Sequence, residues 1–298
     1  MKPRSNRVRK TRDEILFNGI AFPFLAVLSL VCFLPFLLII TASLTNNNEV
    51  VREGFKLIPK SFSLDAYRYI FFVPGKLLRA YGSTLFVTAF GTVGGLVLIS
   101  MAGYVLHRKD FRYRNKISFF IYFTTLFSGG IIPYYILMTS ILGLRNSLFA
   151  VILAGLVTPF QIILMRNFMK NVPYELIEAA KIDGANDFRT FTDVVLHLQK
   201  PALATIGLFL ALGYWNNWYS PMLFLNKAEL YPLQYYLYTL LTSEQAIQEA
   251  GVAVEGLIFP GETLKMAMAV VATGPVLLVY PYVQKYFVRG ITIGAVKG

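Results

Sequence analysis

Two histidines, one cysteine and one polar stretch hold most of the residues that could do chemistry in this chain. His107 and His197 have no His or Cys companion at helical spacing, so neither begins a metal site. The lone cysteine, Cys32, excludes an internal disulfide or a cysteine cluster, and its apolar surroundings predict a small buried hydrophobe. A GxxxxGK[ST] loop is absent, which removes P-loop nucleotide binding, and no Ser/His/Asp set stands out from chance. The polar stretch, Pro173 to Pro201, reads PYELIEAAKIDGANDFRTFTDVVLHLQKP. Pro173 suits a first helical position, and Leu176, Ile177 and Ala180 share a face. Asp183-Gly184 then breaks the chain, because glycine accepts the left-handed conformation that ends a helix. Asn186 or Asp187 can cap a second helix whose Phe188, Phe191, Val194 and Val195 repeat at helical spacing. So short a pair has too little apolar surface to stand alone. It is expected to dock against a partner.

The elements around this island are lipid-soluble. Of 298 residues 56% are hydrophobic and 15% charged, and the mean hydropathy is +0.56, which predicts an all-α integral membrane protein. Six apolar stretches are long enough to cross a bilayer: about Ile15 to Ser43, Ser83 to Leu106, Ile117 to Met138, Leu148 to Arg166, Ala202 to Leu225 and Thr263 to Val283. The first is too long for a secretory h-region and lacks a small-residue cleavage site, so an uncleaved span is expected. The net charge of +12 comes from basic residues set between apolar runs. That is not the gathered patch a nucleic-acid binder needs. With the N-terminus inside, the inner segments hold Lys2, Arg4, Arg7, Arg9, Lys10 and Arg12; Arg108, Lys109, Arg112, Arg114 and Lys116; Arg166, Lys170, Lys181, Arg189 and Lys200; and Lys285, Arg289 and Lys297. Nine of the 28 remain outside. The positive-inside rule therefore places both termini and the island in the cytoplasm.

This reading divides the chain into a first segment (1–82) with one span and an outer loop, a five-span core (83–286) and a cytoplasmic tail (287–298). The core contains the island within 166–201 and an outer loop, 226–262, whose acidic and aromatic residues suit either a solvated loop or an external docking surface. Spans two to five carry no Asp, Glu, Lys or Arg except at their ends. An ion-coupled carrier needs ion-binding groups at mid-depth, so the energy is expected to come from a partner on the island. For a solute path, Tyr214-Trp215-Asn216-Asn217-Trp218-Tyr219 combines amides with aromatic faces, the pairing that binds sugars. The same run would equally make an interfacial aromatic belt. Thr158 and Gln161 are weaker path candidates.

Glu178-Ala179-Ala180, three residues to Gly184, then nine to the VVLH stretch at Val194 resembles the EAA motif of ABC importer permeases: EAA, three residues, Gly, nine residues, I-x-L-P. His197 stands where that pattern has proline, which puts the end of the second helix in question. EAAKIDGANDFRTF followed by Pro201-Ala202-Leu203-Ala204-Thr205 resembles the carbohydrate-type permeases, in particular the maltose importer's second membrane subunit. YPLQYYL at Tyr231, ETLKMA at Glu262 and VYPYVQKYFVRGITIGAVKG at the C-terminus are similar to a branch importing complex oligosaccharides. The resemblance covers essentially the whole chain.

The resemblance implies the six-helix type I ABC importer permease fold in the inner membrane of a prokaryote, with no catalytic group, metal or cofactor of its own. Its island would be a coupling helix seated on an ABC ATPase dimer that binds ATP and Mg. Leu176, Ile177 and Phe188 would supply apolar contacts and Glu178 a carboxylate. Ala179 and Ala180 would allow close approach, with Asp183-Gly184 forming the turn. The tail (Tyr286, Gly290, Gly294) would reach the ATPase dimer interface. A homologous second permease subunit would complete the path for Asn216, Asn217, Trp218, Tyr219 and Gln161, and an external binding protein would deliver the sugar. Fragments of acidic polysaccharides such as pectin or alginate fit the branch. An ion-coupled sugar carrier, a permease for a non-sugar solute and a membrane scaffold are the alternatives.

Overall fold

The computed structural model describes residues 11–72, 74–249 and 261–295. Among them the chain is helical, with no strand beyond one isolated bridge between Thr45 and Phe62. The helices are α1 (Arg12–Ser43), α2 (Asn47–Glu53), α3 (Asp65–Ile70), α4 (Pro74–His107), α5 (Arg114–Leu126), α6 (Ile131–Ile141), α7 (Leu148–Gly155), α8 (Pro159–Met169) and α9 (Tyr174–Ile182). They continue with α10 (Asp187–Leu198), α11 (Lys200–Trp215), α12 (Tyr219–Phe224), α13 (Leu233–Glu249) and α14 (Gly261–Ala295).

Three stretches, Leu16–Ser43, Pro74–His107 and Gly261–Leu278, are single helices long and apolar enough to cross a membrane. Three further candidates are bent pairs: α5 with α6 at 112°, α7 with α8 at 50°, and α10 with α11 at 84°. The breaks have local causes. At the first, the chain leaves α5 through extended Phe127, and Gly130 takes φ +86°. At the second, Thr158 caps α8 by accepting from the Gln161 N–H, and Pro159 takes the first turn, where its missing donor is not needed. The expected fifth span, Ala202 to Leu225, is corrected: α11 ends at Trp215, and Asn217 Oδ1 accepts from the Ser220 N–H at 3.0 Å as α12 begins. Asparagine favours caps over helix interiors, which breaks an otherwise apolar run. The expected outer loop, 226–262, contains a helix, and its residues 250–260 lie outside the described ones. Residues Leu233–Glu249 form a helix, held at its start by the Leu233 N–H donating to Thr84 Oγ1 at 2.7 Å. Cys32 is exposed on α1 rather than buried.

Two compact units are present among the described residues: 11–70 with 261–271, and 71–249 with 272–295. In the first, Glu49 organises the loop after α1, accepting from the Lys60 and Ser61 N–H groups and the Ser61 hydroxyl. Those bonds, led by the Ser61 hydroxyl, hold its carboxyl below the usual carboxylate range. Asn47 Oδ1 also accepts from the Thr263 N–H at 3.3 Å.

The second unit is packed around α4. Its small residues admit neighbours closely. A Cβ at Gly91 would lie 2.3 Å from the ring of Tyr214, whose hydroxyl donates to the Ile152 carbonyl at 2.6 Å, and one at Gly103 would lie 2.5 Å from Met165. Gly91→Ala is therefore expected to displace Tyr214 and lower stability by about 1–3 kcal/mol. Gly82→Ala, with nothing within 4 Å on the same helix, should be neutral or stabilising. Thermal unfolding of the two variants in detergent distinguishes these outcomes.

Candidate coupling site

The polar island folds as a helix pair, α9 and α10. Pro173 lies just before α9, with ψ 130° as N-cap, rather than at the first helical position expected from sequence. At the far end Gly184 takes φ +81°. The Gly184 N–H donates to the Lys181 carbonyl at 3.0 Å and the Ala185 N–H to the Ala180 carbonyl at 2.9 Å. These two bonds are a Schellman turn, which gives Ala180 and Gly184 a mechanical reason to stand four residues apart. Asn186 Oδ1 accepts from the Arg189 N–H at 2.8 Å and caps α10, one of the two caps the sequence allows.

Within α10, Thr190–Val195 is wound as a π-helix. His197 sits beyond it, exposed, its Nδ1 donating to the Thr192 carbonyl at 3.1 Å. Despite the missing proline, α10 stops at Leu198. Gln199 is buried and its side-chain amide donates to the Phe168 carbonyl at 3.1 Å, and Pro201 opens α11.

The side chains sort into anchors and a ridge. Ile177 is only 1% exposed and lies in the same core cluster as Phe191 and Val195. It fastens the island to its own unit, which corrects its expected role as a contact for an outside partner. Leu176, Ile182 and Phe188 are 43%, 86% and 66% exposed. Glu178, Ala179 and Asp183 are exposed beside them, and Ala180 is half-buried. Ile182 is not singled out by the sequence reading, although an isoleucine two residues before a helix-ending glycine is a readable signal of an apolar tip.

A charged clamp adds to the anchors. Arg108, at the end of α4 and 14% exposed, pairs with both Asp110 and Asp187, and Lys181 reaches Asp110 at 3.1 Å. The Tyr104 ring lies 5.3 Å from that of Phe191, with the Arg108 guanidinium 5.9 Å from the Tyr104 centroid. The Arg108 hydrogen bonds, and then Lys181, hold the Asp110 carboxyl well below its ordinary range. Because folding lowers this pKa, the clamp's contribution is complete above the unfolded carboxylate value of about 3.9 and is lost only as pH falls through the lowered one. A double-mutant cycle of Arg108→Ala and Asp110→Ala should give a coupling energy of about 1 kcal/mol, unchanged between about pH 5 and 8. Stability curves for the four proteins at both pH values check it.

The other predicted site residues fall in different places. Asn216 and Trp218 are exposed between α11 and α12, and Tyr219 is exposed at the start of α12. Asn217 is occupied as the cap described above. Gln161 is buried and accepts from the Thr158 hydroxyl at 2.9 Å, so it serves the α8 cap rather than an open path. Tyr286, Gly290 and Gly294 lie on α14, whose backbone is helical through Ala295.

Helices long and apolar enough to cross a membrane thus carry an anchored helix pair with an apolar tip, the arrangement of a membrane protein with an exposed contact surface. The chain belongs to the family of binding-protein-dependent transport system inner membrane components, whose model matches residues 14–293. It is 43% identical over 284 residues to the polygalacturonan/rhamnogalacturonan transport system permease protein YtcP of Bacillus subtilis (strain 168), covering 95% of this chain and 99% of YtcP. Protein LplC of the same organism is 38% identical over 291 residues, 98% of each chain. Among solved structures, a bacterial ABC transporter involved in the import of the acidic polysaccharide alginate superposes with a TM-score of 0.78 at 32% identity, covering 93% of this chain and 99% of that one.

Proposed function

We propose that this chain is the membrane-spanning permease subunit of an ATP-driven, binding-protein-dependent ABC importer for carbohydrates, with acidic oligosaccharides as cargo. Family membership and the polyuronide-related names of YtcP and of the alginate transporter support the cargo class. The observation that carries the mechanism is the island. Leu176, Ile182 and Phe188 project from a helix pair fixed by a buried Ile177, a Schellman turn and the Arg108 clamp. A rigid apolar knob can follow the closing of an ATPase dimer and carry its own unit with it. ATP and Mg are held by that partner, and Tyr286, Gly290 and Gly294 on α14 give it a second contact.

Three single helices, the bent pairs α5–α6 and α7–α8, and α11 give six spans, with α10 on the cytoplasmic side and both termini in the cytoplasm. The placement of Lys and Arg supports this orientation. A homologous permease subunit provides the other wall of the path, and an external binding protein delivers cargo. The test is reconstitution of the four components in vesicles. Uptake of an oligogalacturonate or oligoalginate should require ATP and survive a protonophore. Uptake that follows an ion gradient without ATP would instead establish a secondary carrier.

A further inference from the structure

Trp218 and Tyr238 come from different elements, the α11–α12 break and α13, yet their rings stack at 4.8 Å with an interplanar angle of 29°. Both are exposed. The stack extends along α13 through Tyr235, 6.4 Å from Tyr238, and Tyr219 stands edge-on to Trp218 at 5.9 Å. Next to it, the Gln234 amide donates to Asn216 Oδ1 at 3.3 Å, and Asn216 Nδ2 donates to the Leu212 carbonyl at 3.0 Å. An amide side chain offers two donor hydrogens and two acceptor lone pairs, so both amides keep capacity for a ligand.

Depth decides what this surface faces. Helix α11 starts at Lys200 and ends at Trp215, a rise of roughly 24 Å at 1.5 Å per residue in a hydrocarbon core about 30 Å thick. Under the topology proposed above, the amide pair lies in the outer half of the membrane. An exposed amide such as Asn216 at that depth is costly against lipid and stable against a water-filled path. Rings of an interfacial belt hold their polar tips singly among headgroups. A continuous ring stack built from two elements beside paired amides is a different arrangement.

We infer that Trp218 and Tyr238 form a shelf on which a sugar ring of the cargo stacks, with Asn216 and Gln234 bonding its hydroxyl or carboxylate oxygens, so that this subunit itself touches the cargo. The inference rests on the carbohydrate-importer reading and adds two residues, Tyr238 and Gln234, to the path. The pyranose C–H face packs on the rings, and the amides discriminate among its oxygens.

The chain has two tryptophans. Trp215 is buried, with its indole N–H donating to the Ala272 carbonyl at 3.0 Å, so a Trp215→Phe background isolates Trp218 fluorescence from this subunit if the partner subunits' tryptophans are also replaced. The probes are galacturonate and mannuronate oligomers of two to six units, tested on the reconstituted complex. The oligomer that is imported should alter Trp218 emission. Tyr238→Leu and Gln234→Ala should each cut its uptake about five- to tenfold, while ATP hydrolysis stimulated by the loaded binding protein stays within twofold. Tyr238→Phe, which keeps the ring, should restore uptake. Import with unchanged Trp218 emission and unaffected variants overturns the shelf and leaves the importer reading intact. Import of no oligomer in the panel overturns both.

Discussion

Gly184→Pro is expected to reduce ATP hydrolysis stimulated by loaded binding protein to its unstimulated level and to stop uptake. Proline is held near φ −65°, whereas this position needs φ +81°, and its missing N–H removes the bond to the Lys181 carbonyl. The turn must open, and α9 and α10 can no longer hold Ile182 and Phe188 on one ridge. Nothing lies within 4 Å of a Cβ built at this glycine. Gly184→Ala therefore isolates the backbone cost of a left-handed conformation, about 1–2 kcal/mol, and should give a partial loss. Wild-type stimulation in the proline variant would remove the turn from the coupling mechanism.

The second large effect is expected at Ile182. Its side chain is 86% exposed, so Ile182→Asp should leave the melting temperature of the permease unchanged. Burying an isoleucine at an interface is worth about 1.5–3 kcal/mol, and a carboxylate in its place adds a desolvation cost. Association with the ATPase should weaken at least about tenfold, read by co-purification and by ATPase stimulation. Ile177→Asp, five residues earlier, places a charge in the core and should instead unfold the island. Full ATPase binding by Ile182→Asp would show that the ridge is not the seat.

The contrast between Ile177 and Ile182 marks how far the sequence could be read. The helix-turn-helix, the cap at Asn186 and the role of Gly184 depend on neighbours in the chain, and local chemistry predicts all three. Which face of α9 docks inward does not follow locally. Residues 177 and 182 are about 140° apart on a helix, and both are isoleucine. The choice is made by Phe191, Val195 and the far end of α4. Arg108 and Asp187 are likewise distant in sequence and leave no spacing signature. The apolar runs were legible as membrane segments, but the 112° bend within the third, at extended Phe127 and Gly130, was not. At Asn216-Asn217 the cap signal was present and was outweighed by the aromatic residues around it.

Between α10 and α11 only Gln199 intervenes, and the two axes meet at 84°. Such an elbow acts as a bell crank. A thrust along α10 has almost no component along α11, so it would turn that helix, with the partners that Tyr214 and Trp215 bond, about the end where Gln199 grips the Phe168 carbonyl. The largest sweep then falls at the opposite end of α11, at Asn216. A small displacement of the island would be delivered, magnified by the length of the arm, to the shelf proposed for the cargo.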